Sequence, residues 1–302
     1  MNDAIIREIA ELKAARKAVI LAHNYTLPEV QDIADFVGDS LELSLKARDA
    51  NVPCIVFCGV SFMAETAKIL APDSTVLNPA PEAGCRMADM AGAEAVRGYK
   101  KQHPDTVLVA YVNTTAAVKA EVDICCTSAN AERVVETVPP GKKIMFLPDC
   151  HLGSNISNSL GRKMELWPGY CPVHHEVTPE QIAAARKLHP GAVVLVHPEC
   201  PPAVVAAADR ALSTGGMLRL VKSAPETEFV VGTEYGILHR MRKENPDKLF
   251  HELEPRPRCA DMKLVTLEKI RDALRDGKPE VTLPVELMDR ARAAIEKMLA
   301  IR

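Results

Sequence analysis

The chain has 302 residues, 47% of them hydrophobic and 25% charged, and a net charge of −3 at pH 7. That supplies a buried core, while the slight acidic excess and the shortness of basic runs such as Arg240-Met-Arg-Lys243 argue against a nucleic-acid face. No apolar run reaches membrane-spanning length, the acid-bearing N-terminal helix does not read as a transit peptide, and nine cysteines without a secretory signal predict a reducing, cytoplasmic setting.

Residues 5–17 carry a helical pattern, and residues 18–23 read as a buried parallel strand followed by a polar turn and a second helix. A second strand is expected at 54–58. After another helix comes a short extended segment at 75–78, whose loop reaches Cys85. The same order returns with helix 91–102, strands 106–111, 143–147 and 164–167, and a loop to Cys171. It returns again with helix 179–188, strands 192–197, 228–231 and 248–251, and a loop to Cys259. The stretch 267–301 shows two helices around Gly277-Lys-Pro279 and no strand pattern, and is expected to pack back on the first unit.

Three sets of landmarks keep one period. Cys85, Cys171 and Cys259 are 86 and 88 residues apart; His23, Tyr111 and His197 are 88 and 86 apart, as are Ser40, Ser128 and Thr214. An internal repeat of this length predicts an α/β fold of three pseudo-threefold-related αβα units, each a small parallel sheet layered between helices, around a central active site. The expected units are 1–87, 88–174 and 175–260, followed by the C-terminal helices at 261–302.

Ligands of open parallel sheets bind beyond the carboxyl ends of the strands. Here those ends carry polar triplets, His23-Asn24-Tyr25, Tyr111-Val112-Asn113 and His197-Pro198-Glu199. Taken singly, each is most simply a satisfied loop residue; matched in all three units, they point to one cavity. Asp39-Ser40, Thr127-Ser128 and Ser213-Thr214 each precede a helical stretch, where a plain N-cap and an anion-binding helix end are compatible readings. Three such ends suit a small polyanionic substrate.

Any one cysteine is by default a small buried residue. The repeat singles out Cys85, Cys171 and Cys259, whose separations match no zinc-finger or ferredoxin spacing. Brought together by symmetry, three thiolates suit a [4Fe–4S] cluster with one iron free of protein ligands, a Lewis acid fitted to dehydration. An iron–sulfur sensor and a zinc-dependent hydrolase built on the same thiolates are the competing readings. The run Cys171-Pro-Val-His174-His175 offers half a zinc site without an evident second half, and no Walker A or GxGxxG loop is present.

The motifs Ala22-His-Asn-Tyr25, Gly38-Asp-Ser40, Tyr111-Val-Asn-Thr114, Cys126-Thr-Ser128, Pro148-Asp-Cys-His-Leu-Gly153, His197-Pro-Glu-Cys200 and Ser213-Thr-Gly-Gly216 together resemble the quinolinate synthase family of NAD biosynthesis. The resemblance runs through essentially the whole chain. It implies condensation of iminoaspartate with dihydroxyacetone phosphate to quinolinate, with loss of phosphate and two waters. It also implies three similar domains around the active site and an oxygen-sensitive [4Fe–4S] cluster on Cys85, Cys171 and Cys259. Substrate contacts carry over to His23, Ser40, Tyr111, Asn113, Ser128, His197, Glu199 and Thr214.

Among these, Glu199 is expected to be the general base, His23 and His197 proton carriers or orienting groups, and Tyr111 an oxyanion donor; Tyr25 matches the family's mobile tyrosine. The pathway implies an L-aspartate oxidase or dehydrogenase as supplier of iminoaspartate. One departure is evident: where some members carry a Cys-x2-Cys-x2-Cys run, this chain has Cys259 alone, which argues against disulfide regulation there.

Overall fold

The computed structural model describes residues 2–301, leaving the outermost residues of the first and last expected segments, 1 and 302, outside it. Four parallel strands, β1 (Ala18–His23), β2 (Phe36–Gly38), β3 (Cys54–Cys58) and β4 (Thr75–Leu77), form a first sheet in the order β2-β1-β3-β4. A second sheet orders β5 (Thr106–Tyr111), β6 (Ile124–Cys126), β7 (Lys143–Leu147) and β8 (Glu165–Leu166) as β6-β5-β7-β8. A third orders β9 (Val193–Val196), β10 (Arg210–Ala211), β11 (Glu228–Gly232) and β12 (Leu249–Glu252) as β10-β9-β11-β12. The topology is the same three times, and helices flank each sheet, as an all-parallel sheet requires to bury both faces.

Each sheet thus has one strand more than the sequence pattern shows. The additional strands β2, β6 and β10 are edge strands of two or three residues, too short to display a period. A repeated side-chain clamp holds them. Asp35 Oδ2 accepts the N–H of Ile20 at 2.8 Å, Asp123 Oδ2 that of Leu108 at 2.9 Å, and Asp209 Oδ2 that of Val194 at 2.7 Å. The backbone N–H of each aspartate returns to the carbonyl of the same partner, and Lys13, Lys100 and Arg186 on the preceding helices pair with the three carboxylates.

The central strands are apolar because both faces are covered; all five residues of Cys54-Ile-Val-Phe-Cys58 are buried. Helix Ser40–Asp49 starts on a capping box formed by Asp39 and Glu42, and helix Pro179–Leu188 on one formed by Thr178 and Gln181. One core runs through Ile20, Phe57, Leu108, Phe146 and Phe229; a smaller one, around Val177, Ile182, Val194 and Val204, belongs to the third unit.

Helix Leu267–Asp276 lies against helix Asn2–Arg16 and β3. Helix Val285–Ala300 lies against helix Ser61–Leu70, helix Ala116–Lys119 and β6, a seat on two units that packing on the first alone does not anticipate. Every seam between units carries buried or half-buried polar contacts. Asn24 Nδ2 donates to Thr214 Oγ1 at 3.0 Å, the Ala116 N–H to Glu65 at 2.7 Å, and Asn155 Nδ2 to the carbonyls of Pro198 and Cys200 at 2.9 Å each. Among the described residues, no helix is long and apolar enough to cross a membrane.

Candidate active site

The loop leaving the first strand turns in the same way in the first and third units. The N–H of Tyr25 donates to His23 Nδ1 at 3.2 Å, and the N–H of Glu199 donates to His197 Nδ1 at 3.3 Å. An imidazole that accepts at Nδ1 carries its hydrogen on Nε2. Burial lowers the basicity of both rings, to about 3 for His23, helped by the neighbouring His197, and to about 4 for His197. At neutral pH both rings are therefore uncharged donors, not bases.

Five side chains from all three units form one hydrogen-bonded chain. The Tyr111 hydroxyl donates to Glu199 Oε1 at 2.5 Å, with the Ser128 hydroxyl bonded to the same phenol. His174 Nδ1 lies 2.7 Å from Glu199 Oε2, and its Nε2 lies 2.8 Å from Thr233 Oγ1, which lies 2.5 Å from the Tyr25 hydroxyl. A carboxylate cannot donate, so His174 carries its hydrogen on Nδ1 and accepts from Thr233, which in turn accepts from Tyr25. Burial disfavours the charge on Glu199, but His197, His174 and Tyr111 outweigh it and hold the carboxyl well below the usual range. The two tyrosines go the other way: burial and the Glu199 charge push both hydroxyls well above the ordinary phenol value.

The three repeat cysteines line the same cavity as these groups. Cys85 and Cys171 each cap a single helical turn and Cys259 stands one residue before the cap of another, and amides of each turn point back at the sulfur. Cys85 receives the N–H groups of Met87 and Ala88, Cys171 that of His174, and Cys259 those of Asp261 and Met262. Burial pushes the Cys85 thiol up to about 12 and also raises Cys171 and Cys259. Three facing thiols of this kind lose their protons only to a cationic centre, and amide N–H donors are what sulfur ligands of such a centre use. The residues fit an iron–sulfur cluster with three protein ligands. Cys171, His174 and Glu199 also gather donor atoms within 4.8 Å of one another, so the half zinc site read from the sequence finds its other half in Glu199.

The helix-end anion sites differ from expectation. Ser40 opens helix Ser40–Asp49 and Thr214 opens helix Thr214–Ser223, but Ser128 sits in a turn and the helix behind it starts at Ala131. Side chains already take some of the amides at the first two ends: Asp39 takes those of Leu41 and Glu42 at 3.0 and 2.9 Å, and Ser213 Oγ takes that of Gly216 at 3.1 Å. A ligand there meets Ser40 and Thr214 at helix ends that are already partly capped. Asp39, whose carboxyl is raised by burial and by Glu42, lies between the two helix ends.

The cavity measures about 350 Å³ and is lined by His23, Tyr25, Ser40, Tyr111, Asn113, His197, Glu199 and Thr214 together with the three cysteines. Ser128 stands behind Tyr111 and does not line it. Asn113 Oδ1 is buried without a hydrogen-bond partner, an acceptor open to a ligand donor.

Residues 7–300 match the quinolinate synthetase A protein family. The chain belongs to that family. Relatives named quinolinate synthase cover it end to end. That of Desulforudis audaxviator is 51% identical over 301 residues, covering 100% of this chain and 99% of the relative. That of Methanoregula boonei is 51% identical over 303 residues, with 100% of both covered; that of a Thermus thermophilus strain is 48% identical over 310 residues, with 99% and 98% covered. Identity at this level over full length supports quinolinate synthase function for this member of the family.

The quinolinate synthetase A fold also recruits residues that the sequence reading passes over. His174 appears there only as half a zinc site, yet it joins Glu199 to Thr233. Thr233-Glu234 directly follows β11, the same polar signal at a strand end that marks His197 after β9. Glu234 pairs with Lys263 at 2.9 Å and accepts the Cys259 N–H at 3.3 Å.

Proposed function

We propose that the chain condenses iminoaspartate with dihydroxyacetone phosphate to quinolinate, releasing phosphate and two waters, as a cytoplasmic iron–sulfur-dependent transferase of NAD biosynthesis. The observation that carries the reading is the unbroken path from Glu199 through His174 and Thr233 to Tyr25, of which Glu199, His174 and Tyr25 line one cavity with the three thiols. When bound by Cys85, Cys171 and Cys259, a [4Fe–4S] cluster supplies a Lewis-acidic iron that draws electron density from a substrate oxygen.

The chain's own groups divide the remaining work. The Nε2–H donors of His23 and His197 and the hydroxyls of Ser40 and Thr214 hold carboxylate and phosphate oxygens, while Asn113 Oδ1 accepts a hydroxyl or imine N–H. Glu199 is the base that removes a proton beside the imine or carbonyl. A substrate that claims the Tyr111 hydroxyl takes one donor from Glu199 and so raises its basicity. Tyr25 gives its hydroxyl proton to the departing hydroxyl, which leaves as water. Once His174 has exchanged its hydrogen from Nδ1 to Nε2 and Thr233 has turned its own toward Tyr25, the proton gained at Glu199 passes through both to the Tyr25 oxygen and returns His174 to its first tautomer. Each elimination then restores the groups it used.

Iminoaspartate hydrolyses readily, which favours hand-over from an aspartate-oxidising enzyme, an L-aspartate oxidase or dehydrogenase. The deciding experiment is an anaerobic assay of cluster-reconstituted protein with freshly generated iminoaspartate and dihydroxyacetone phosphate. Quinolinate formed by the wild type, and lost in Cys85→Ala, Cys171→Ala or Cys259→Ala, is expected. A fully loaded protein that forms none refutes the assignment. Zinc without iron in the purified protein points to the hydrolase reading on Cys171, His174 and Glu199.

A further inference from the structure

At the far end of the third sheet from the cavity stands a second group of metal-binding side chains. Glu228 is the first residue of β11, whose other end leads to Thr233; His251 lies on the edge strand β12; His189 caps helix Pro179–Leu188. Val230 pairs with His251, so Glu228, two residues earlier on its strand, shares a sheet face with that histidine. One oxygen, Glu228 Oε1, lies 2.9 Å from His251 Nε2 and 3.4 Å from His189 Nδ1. The two imidazoles stack with centroids 3.5 Å apart at 15°. All three donor atoms lie within 4.8 Å of one another.

We propose that His189, Glu228 and His251 form a binding site for a divalent borderline metal ion of the zinc class, separate from the iron–sulfur site. Tetrahedral zinc holds nitrogen and oxygen donors at about 2.0–2.1 Å, which places donors about 3.3 Å apart. The two contacts to Glu228 bracket that spacing. Two imidazoles and one carboxylate favour zinc, nickel or copper over calcium or magnesium, which prefer all-oxygen shells. The side chains are 27%, 34% and 25% exposed in the order His189, Glu228, His251, which leaves room for water as the remaining ligand. The hydrogen that His251 turns toward the carboxylate moves to its other nitrogen or to solvent when the ion takes its place. Three separate elements supply the ligands, so the ion would tie the edge strand to the sheet and to the preceding helix.

The test uses the anaerobic, cluster-loaded full chain equilibrated with zinc alone. The expected result is one further equivalent of zinc with a nitrogen and oxygen shell, free of sulfur, at the zinc absorption edge. His251→Gln and His189→Gln are each expected to weaken binding at least tenfold and to abolish the rise in melting temperature that zinc gives the wild type. Quinolinate formation by these variants is expected to stay unchanged, because both residues lie outside the catalytic cavity. The proposal is overturned if the wild type takes up no zinc, if the edge spectrum shows sulfur ligands, or if folded variants bind as tightly as the wild type. Any of these leaves only a hydrogen-bonded histidine stack.

Discussion

The phenol of Tyr25, on the first unit, lies 2.5 Å from the hydroxyl of Thr233, on the third. Because Thr233 also reaches His174, Tyr25 is wired to Glu199 only when these two units are closed on each other. Removing the middle hydroxyl without changing its volume tests the link. Thr233→Val is expected to lower turnover roughly 100-fold, the lower end of the range for a positioned proton-transfer group. Iron content and the cluster's absorbance should be unchanged, and Thr233→Ser should recover most of the rate. Full activity in Thr233→Val would remove the relay from the mechanism.

Glu199→Gln keeps the shape of the proposed base and removes its charge. The expected loss in turnover is roughly 10²- to 10⁴-fold at unchanged cluster loading. Tyr111, deprived of its carboxylate acceptor, should then titrate closer to the ordinary phenol value, which ultraviolet difference spectra can follow. A variant that turns over normally with its cluster intact would show that another group removes the proton.

The cysteines separate by role. Cys85→Ala, Cys171→Ala and Cys259→Ala should each yield protein that loses the brown colour and most of its iron. Cys150→Ser should retain both, because Cys150 opens helix Cys150–Leu160 and does not line the cavity. Iron analysis after anaerobic purification decides the matter.

His23 links the cavity to acid stability. Its imidazole titrates at about 3 in the folded protein against an ordinary value of 6.5, so the unfolded chain binds more protons between these values. Stability from this group is therefore complete above pH 6.5 and falls as pH drops toward 3, at about 1.4 kcal/mol per pH unit. The same sign holds for His197 down to about pH 4. Buried carboxyls such as Asp39 oppose the trend, so the useful quantity is a difference. Denaturant titrations of cluster-free protein between pH 6.5 and 4 should show a shallower pH slope in His23→Gln than in the wild type. Equal slopes would mean that His23 is charged in the folded state.

Gly236 tests how tightly the Tyr25 loop is seated. A Cβ there would meet Lys263 Nζ at 2.8 Å, Glu234 Oε2 at 2.9 Å and the Tyr25 carbonyl carbon at 2.9 Å. Gly236→Ala should displace Tyr25 from Thr233, cutting turnover and costing about 1–3 kcal/mol of stability, the usual range for overpacking. A fully active and stable alanine variant would show that the loop has slack.

Much of this architecture can be read from residues. Residues 18–22, 107–111 and 144–147 announce themselves as unbroken apolar runs, and the polar residue that ends each first strand or follows it marks the cavity. The edge strands escape because Arg210-Ala211 carries no period and because a side-chain clamp, not sheet length, holds them. His174 escapes because its meaning comes from Glu199 and Thr233, which are distant in the chain and meet it only after folding. The helix ends expected at Ser40 and Thr214 are partly closed for a local reason, since the capping side chains that favour a helix start there also occupy the amides of Leu41, Glu42 and Gly216.

The aspartate clamps have a consequence for how such a chain reaches its native state. Three similar units in one polypeptide invite mispairing, in which a strand adds to a neighbour's sheet instead of its own. Asp35, Asp123 and Asp209 each reach back 15 residues to Ile20, Leu108 and Val194. A tie across so short a loop closes with little entropy cost, long before a partner from another unit can diffuse in. By fastening each edge strand to its own first strand early, the clamp keeps three look-alike sheets from trading parts.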